Sequence, residues 1–176
     1  MTFLLNPQHK TLLRELGIPK NYGSEPLLPV YAEAGELVEA GPNIVGRMQS
    51  LTPATAAAWL GMLEEARQEQ IELVMVSGFR SMEYQASLIR KKLDAGQTIK
   101  EILQVNVAPG FSQHHTGNAI DIATPGYKPL LEEFAESPAF AWLTEHAGRF
   151  GFTMSYPRDN PEGVAYEPWH WYRAEV

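Results

Sequence analysis

The sequence predicts an α+β fold, a small and mainly antiparallel sheet flanked by helices. Short apolar runs of strand type are interleaved irregularly with capped segments of helical periodicity. No internal repeat, low-complexity tract or interdomain linker interrupts them. With 176 residues and 44% apolar content, the chain has the size of one domain, residues 1–176, able to bury a substantial core.

Asn6 followed by Pro7 is a good N-cap and first-turn pair, and Leu12, Leu13 and Leu16 form a helical stripe ending near Gly17. From Ile18 to Ser50 the chain is rich in Gly and Pro, so loops and short extended pieces are expected around Leu27 to Tyr31 and Ile44 to Met48. Thr52-Pro53 opens the clearest helix, which continues to about Glu69 with Ala56, Trp59, Leu60 and Leu63 on one face. Ile71 to Ser77 reads as a mostly buried strand broken by Gly78. Ser81 caps a helix from Met82 to about Asp94, stopped by Gly96, and Thr98 caps a short one through Gln104.

Asn106 to Thr116 reads as an ordered loop leading into a strand at Ala119 to Ala123. Helices are expected at Pro129 to Ala135 and, capped by Ser137, at Pro138 to Arg149. A strand near Met154 and a final aromatic strand, Trp169 to Arg173, complete the order.

Composition removes several function classes. A formal net charge of -7, without a basic run interleaved with aromatics, argues against nucleic acid. The absence of cysteine excludes disulfides, thiolate ligands and thiol nucleophiles, so any metal site is built from His, Asp or Glu. Met1 to Leu5 is too short and uncharged for a signal peptide and no segment suits a membrane span, so a cytoplasmic protein is expected unless a leader was removed or it is otherwise exported.

Two stretches carry the chemistry. Ser112-Gln113-His114-His115-Thr116-Gly117-Asn118-Ala119-Ile120-Asp121 and Glu167-Pro168-Trp169-His170 together offer imidazoles and carboxylates suited to one catalytic zinc ion. His114, Asp121 and His170 as ligands leave a fourth position for water, and Glu167 is available to take that water's proton. Gly117 and Ala119 permit a tight turn between the first two ligands, and Pro168 is expected to turn the chain so that Glu167 and His170 reach one site. Taken singly, each residue could equally satisfy a loop or strand end. Four donors in two motifs are harder to assign that way.

The pattern Ser112-x-His114-x-x-Gly117-x-Ala119-x-Asp121, the later Glu167-x-x-His170, and the upstream Ser77-Gly78-Phe79-Arg80-Ser81 resemble the VanY-like zinc D-Ala-D-Ala carboxypeptidases and their L,D-carboxypeptidase relatives. The resemblance covers roughly residues 70 to 173. It implies the fold shared with lysostaphin-type peptidases and the Hedgehog signalling domain. It also implies His114, Asp121 and His170 as zinc ligands, Glu167 as catalytic base, and Arg80, Gln85 and Ser112 as lining the substrate site. Arg80 could bind a terminal carboxylate or stabilise the oxyanion, and the sequence leaves both tasks open.

His115 could replace His114 only if the register shifted, so a supporting or solvent-facing role is expected. His9 and His146 read as ordinary helix residues, and Arg90-Lys91-Lys92 as a solvated run at a helix end. Trp169 is the best aromatic candidate for the pocket, against core packing for Trp171 and Tyr172. The expected activity is release of a terminal D-alanine from peptidoglycan stem peptides or muropeptides by a monomeric enzyme. A cross-link endopeptidase and a non-catalytic zinc recognition module are the rivals.

Overall fold

The computed structural model describes residues 5–174. Residues 1–4, on which the signal-peptide reading rests, lie outside them. In chain order the regular elements are α1 (Pro7–Glu15), β1 (Val38–Pro42), β2 (Met48–Leu51), α2 (Pro53–Gln68), β3 (Val74–Ser77), α3 (Met82–Asp94), α4 (Ile99–Val105), β4 (Ala119–Ala123), α5 (Pro138–His146), β5 (Phe152–Met154) and β6 (His170–Arg173). Short 3-10 turns at Gln113–Thr116, Glu132–Glu136 and Ala147–Phe150 join them.

Helix starts follow local hydrogen-bond chemistry. The side chains of Asn6, Ser81 and Ser137 accept from the backbone N–H three residues on, satisfying donors that have no partner inside the helix. Thr98 and Glu101 form a reciprocal capping box on α4. Thr52 departs from this pattern, because its hydroxyl turns to Thr55 and Asn118.

β1 and β2 form a separate antiparallel pair, while β3, β4, β6 and β5 make a four-stranded antiparallel sheet in that spatial order. β4 lies between β3 and β6, and all five of its residues are buried. Strand alternation sends Ile120 and Ile122 to one face and Asp121 to the other. The first face packs with Trp59, Met62 and Ala66 of α2, Leu143 of α5, Phe134, Phe152 and Trp171. A second apolar cluster joins Leu16, Ile18 and Phe111 to Ala86 and Ile89 of α3 and Ile102 of α4. The N-terminal segment is thereby fastened to the helices beside the sheet.

Several sequence expectations shift. Ile44 to Met48 is mainly the turn between β1 and β2, closed by Asn43, whose side chain accepts from Val45 and Arg47. Leu28 to Tyr31 is not a strand, although Leu27 forms an isolated bridge with Ser24. On α2 the buried positions are Thr55, Ala56, Trp59, Met62 and Ala66, and Leu60 is 54% exposed. The inward stripe is therefore offset from the expected one. β3 starts at Val74 rather than Ile71, the helix expected at Pro129 to Ala135 is a 3-10 turn, and α5 gives way to another 3-10 turn after His146.

Candidate metal centre and cleft

β-sheet register creates the centre. Asp121 of β4 pairs with His170 of β6 on one side and Ser77 of β3 on the other, so Asp121 and His170 stand together on the face opposite Ile120. The 3-10 turn at Gln113–Thr116 then brings His114 over them. It ends at Gly117, whose φ of 68° suits glycine, and a Cβ there would stand 2.9 Å from a Leu37 methyl. The small residue thus allows close approach of Leu37 and Thr52.

His114, Asp121 and His170 each offer a donor atom within 4.8 Å of the others, and all three are buried. His114 Nδ1 lies 2.7 Å from the Gly78 carbonyl oxygen, which can only accept, so Nδ1 carries the proton and Nε2 a lone pair. His114 Nε2 is 3.2 Å from Asp121 Oδ2 and has no hydrogen-bond partner. His170 is oriented by partners on both ring nitrogens. The Gln113 Oε1 accepts from Ser155 at 2.6 Å and from His170 Nε2 at 2.8 Å, leaving His170 Nδ1 to face Asp121 Oδ1 at 2.9 Å.

His114 Nε2 and His170 Nδ1 therefore both point at one carboxylate, the arrangement that a shared cation would complete. Burial, aided by the Arg80 charge, lowers the His114 pKa to about 4, which keeps the ring neutral at ordinary pH. A buried set of two imidazoles and one carboxylate, without sulfur, fits zinc.

Glu167 precedes β6 and is joined to it by a turn in which His170 N–H donates to the Glu167 carbonyl at 3.0 Å. Pro168 and Trp169 form its corner, bringing the Glu167 carboxylate to 4.0 Å from His170 Nδ1. Burial raises the Glu167 pKa to about 7, opposed by His170 and Arg80. Arg80 Nη2 is 3.7 Å from Asp121 Oδ2, and its buried Nε has no hydrogen-bond partner.

These residues lie in a cleft of about 810 Å³ that Gln85, Ser112 and Trp169 also line. Gln85 donates from its amide to the Val107 carbonyl, while its buried Oε1 has no partner. Ser112 accepts from the His114 N–H, and Trp169 is half-buried against the core while also lining the cleft. His115 has both ring nitrogens engaged, with Nδ1 donating to the Arg80 carbonyl at 2.6 Å and Nε2 accepting from Gly110 at 3.0 Å. It is fully buried, which corrects the solvent-facing alternative, and it fixes the backbone that carries Arg80.

Sequence reading missed the orienting groups. Gln113 stands within the motif yet carries no chemical signature of its own, the Gly78 carbonyl is backbone, and Tyr156 stacks on His170 with ring centres 4.9 Å apart. It also missed that Tyr22, Gly23 and Leu28 line the cleft. Glu65, Glu69 and His146 form a second, shallower group of donors. There Arg149 already pairs with Glu65 at 2.7 Å and His146 stacks on Trp142, so local charge balance and packing account for it.

Residues 48–174 match the VanY family, described as D-alanyl-D-alanine carboxypeptidase. The chain belongs to that family. It is 34% identical over 116 residues to YodJ of Bacillus subtilis (strain 168), covering 62% of this chain and 41% of YodJ. It is 28% identical over 99 residues to a D-alanyl-D-alanine carboxypeptidase of Enterococcus faecium, covering 55% of this chain and 28% of the relative. The chain thus spans less than half the length of these curated relatives.

Among solved structures, the LdcB LD-carboxypeptidase superposes with a TM-score of 0.71 at 27% identity, covering 82% of this chain and 71% of LdcB. VanYB in complex with D-alanine-D-alanine gives 0.62 at 26% identity, covering 83% and 80%. A VanY D,D-pentapeptidase in complex with Zn(II) gives 0.62 at 25% identity, covering 85% and 83%. The expected D-Ala-D-Ala metallopeptidase-like fold is therefore present.

Proposed function

We propose that this chain is a zinc-dependent carboxypeptidase that removes a terminal D-amino acid, D-alanine, from peptidoglycan stem peptides, in the D,D or the L,D configuration. The observation that carries the reading is the convergence of two imidazole nitrogens on Asp121, beside Glu167 and Arg80, in one cleft. The Zn(II) and D-alanine-D-alanine bound to VanY-type neighbours support it, as does the LD-carboxypeptidase activity named for LdcB. One ion, a single domain over residues 1–176 and a monomer belong to the same proposal.

His114 Nε2, Asp121 and His170 Nδ1 would hold the metal. Zinc bound there supplies Lewis acidity toward a peptide carbonyl and lowers the pKa of water. Glu167 accepts the proton of the attacking water and returns it to the leaving amine. Its partly buried carboxyl, with a pKa raised to about 7, suits both directions of transfer near neutral pH. Arg80 offers guanidinium N–H donors to the developing oxyanion or to the terminal carboxylate of the peptide. Gln85 Oε1 is an acceptor for a substrate N–H, and Ser112 and Trp169 complete the wall.

A non-catalytic recognition module would have no use for a buried carboxylate at Glu167. Release of D-alanine from defined pentapeptide and tetrapeptide stems tests the proposal. Zinc-loaded wild type is expected to release it and Glu167→Gln is not. Binding of the peptides without release by the wild type would support the module instead.

A further inference from the structure

α3 runs alongside the cleft, and Arg90-Lys91-Lys92 lie toward its C-terminal end. These three basic residues are not equivalent. Arg90 turns back to Glu83 at 2.6 Å and Lys91 is exposed, whereas Lys92 is half-buried and lines the same cleft as Gln85 and His114. Gln85 and Lys92 are seven positions apart, two helical turns, which places them on one face about 10.5 Å apart along the axis.

The Lys92 ammonium is held by the side-chain carbonyl of Asn106, at the C-terminal end of α4. Among the described residues it forms no ion pair with a carboxylate, although Glu25, Asp121, Glu162 and Glu167 all line the cleft. Lys92 and Arg80 are the cleft's lysine and arginine, and Arg80 is committed to the metal end beside Asp121. Asn106 anchors one N–H of Lys92 and leaves its other donors available to the cleft.

We propose that Lys92, positioned by Asn106, receives a carboxylate that the peptide substrate carries away from the reacting bond. An axial separation of about 10.5 Å corresponds to roughly three residues of extended peptide, so α3 measures the chain between the Gln85 contact and that carboxylate. The inference rests on the peptidase reading and sharpens it, because it makes charge at a distant position of the stem a determinant of selection. Stem peptides offer this chemistry as the free α-carboxylate of a γ-linked glutamyl residue, or as the second carboxylate of a diamino diacid.

The experiment compares wild type, Lys92→Met and Lys92→Arg, all zinc-loaded, on tetra- and pentapeptide stems. Each stem is prepared with free carboxylates, with the glutamyl α-carboxylate amidated, and with the diamino acid carboxylate amidated. A short acylated peptide lacking both groups is the control. In the wild type, one amidation is expected to raise KM about fivefold with kcat little changed, the order of a moderately screened ion pair. Lys92→Met should show the same loss on the free acid and no further loss on the amide, Lys92→Arg should restore discrimination, and all three should turn over the control alike.

Which amidation matters identifies the carboxylate. Indifference of the wild type to both amidations, or an equal loss by Lys92→Met on acid, amide and control, would overturn the assignment. If no peptide is cleaved, the peptidase reading fails on that result. The Kd values of Glu167→Gln for acid and amide peptides then decide on Lys92, with equal values overturning it and weaker amide binding supporting it.

Discussion

His114 Nε2 and Asp121 Oδ2 face each other across 3.2 Å with no proton between them, because the His114 N–H is given to the Gly78 carbonyl on the far side of the ring. A neutral imidazole lone pair against a carboxylate is unfavourable unless a cation binds both. Zinc should therefore stabilise the fold as well as activate it. At free zinc about 100 times the Kd, linkage gives about 2.7 kcal/mol, read as a higher Tm that a chelator reverses. His114→Ala should abolish that rise.

Gln113 turns His170 so that Nδ1 rather than Nε2 faces Asp121. Gln113→Leu removes the acceptor that holds this orientation and should weaken zinc binding by about 10- to 100-fold. Competition against a chromophoric chelator measures the change. An unaltered affinity would show that Tyr156 stacking alone orients the ring.

Gly117→Ala should destabilise the protein by about 1–3 kcal/mol, because the residue adopts φ 68° and the new methyl would meet Leu37 and Thr52. Urea unfolding measures it. Gly126 also has positive φ, at 88°, but nothing within 4 Å of a Cβ, so Gly126→Ala should cost less.

Glu167 gives a pH signature in the metal-free protein. Its folded pKa of about 7 lies above its ordinary value of 4.5, so the folded state favours the protonated form. That contribution to stability is full below the ordinary value and is lost as pH rises through about 7. On the order of 2 kcal/mol should disappear between pH 5 and 7.5. Relative to wild type, Glu167→Gln should therefore gain stability over that interval, as measured by denaturant unfolding at both ends.

The parts legible in sequence were those with a local chemical signature. The caps at Asn6, Ser81, Thr98 and Ser137 place helix starts because the side chain that satisfies the first turn is adjacent to it. The residues proposed for the metal were legible as a spacing of His, Asp and Glu. Their orientation was not, since it depends on the Gly78 carbonyl and on Gln113 held by Ser155, which are contacts across the sheet. The β1–β2 hairpin was misplaced because Ile44 and Val45 look strand-like yet sit 45% and 80% exposed in its turn. Lys92 was hidden in a basic run whose members only the helix face separates.

The most direct test of the central claim is mass analysis of the products from defined tri-, tetra-, penta- and cross-linked muropeptides, with zinc-loaded protein, with chelator, and with Glu167→Gln. A zinc carboxypeptidase converts the penta- or tetrapeptide to a product shorter by one alanine, stops when zinc is removed, and loses at least about 100-fold in rate without the Glu167 carboxylate. Cleavage that persists in chelator, or turnover unchanged in Glu167→Gln, would contradict it.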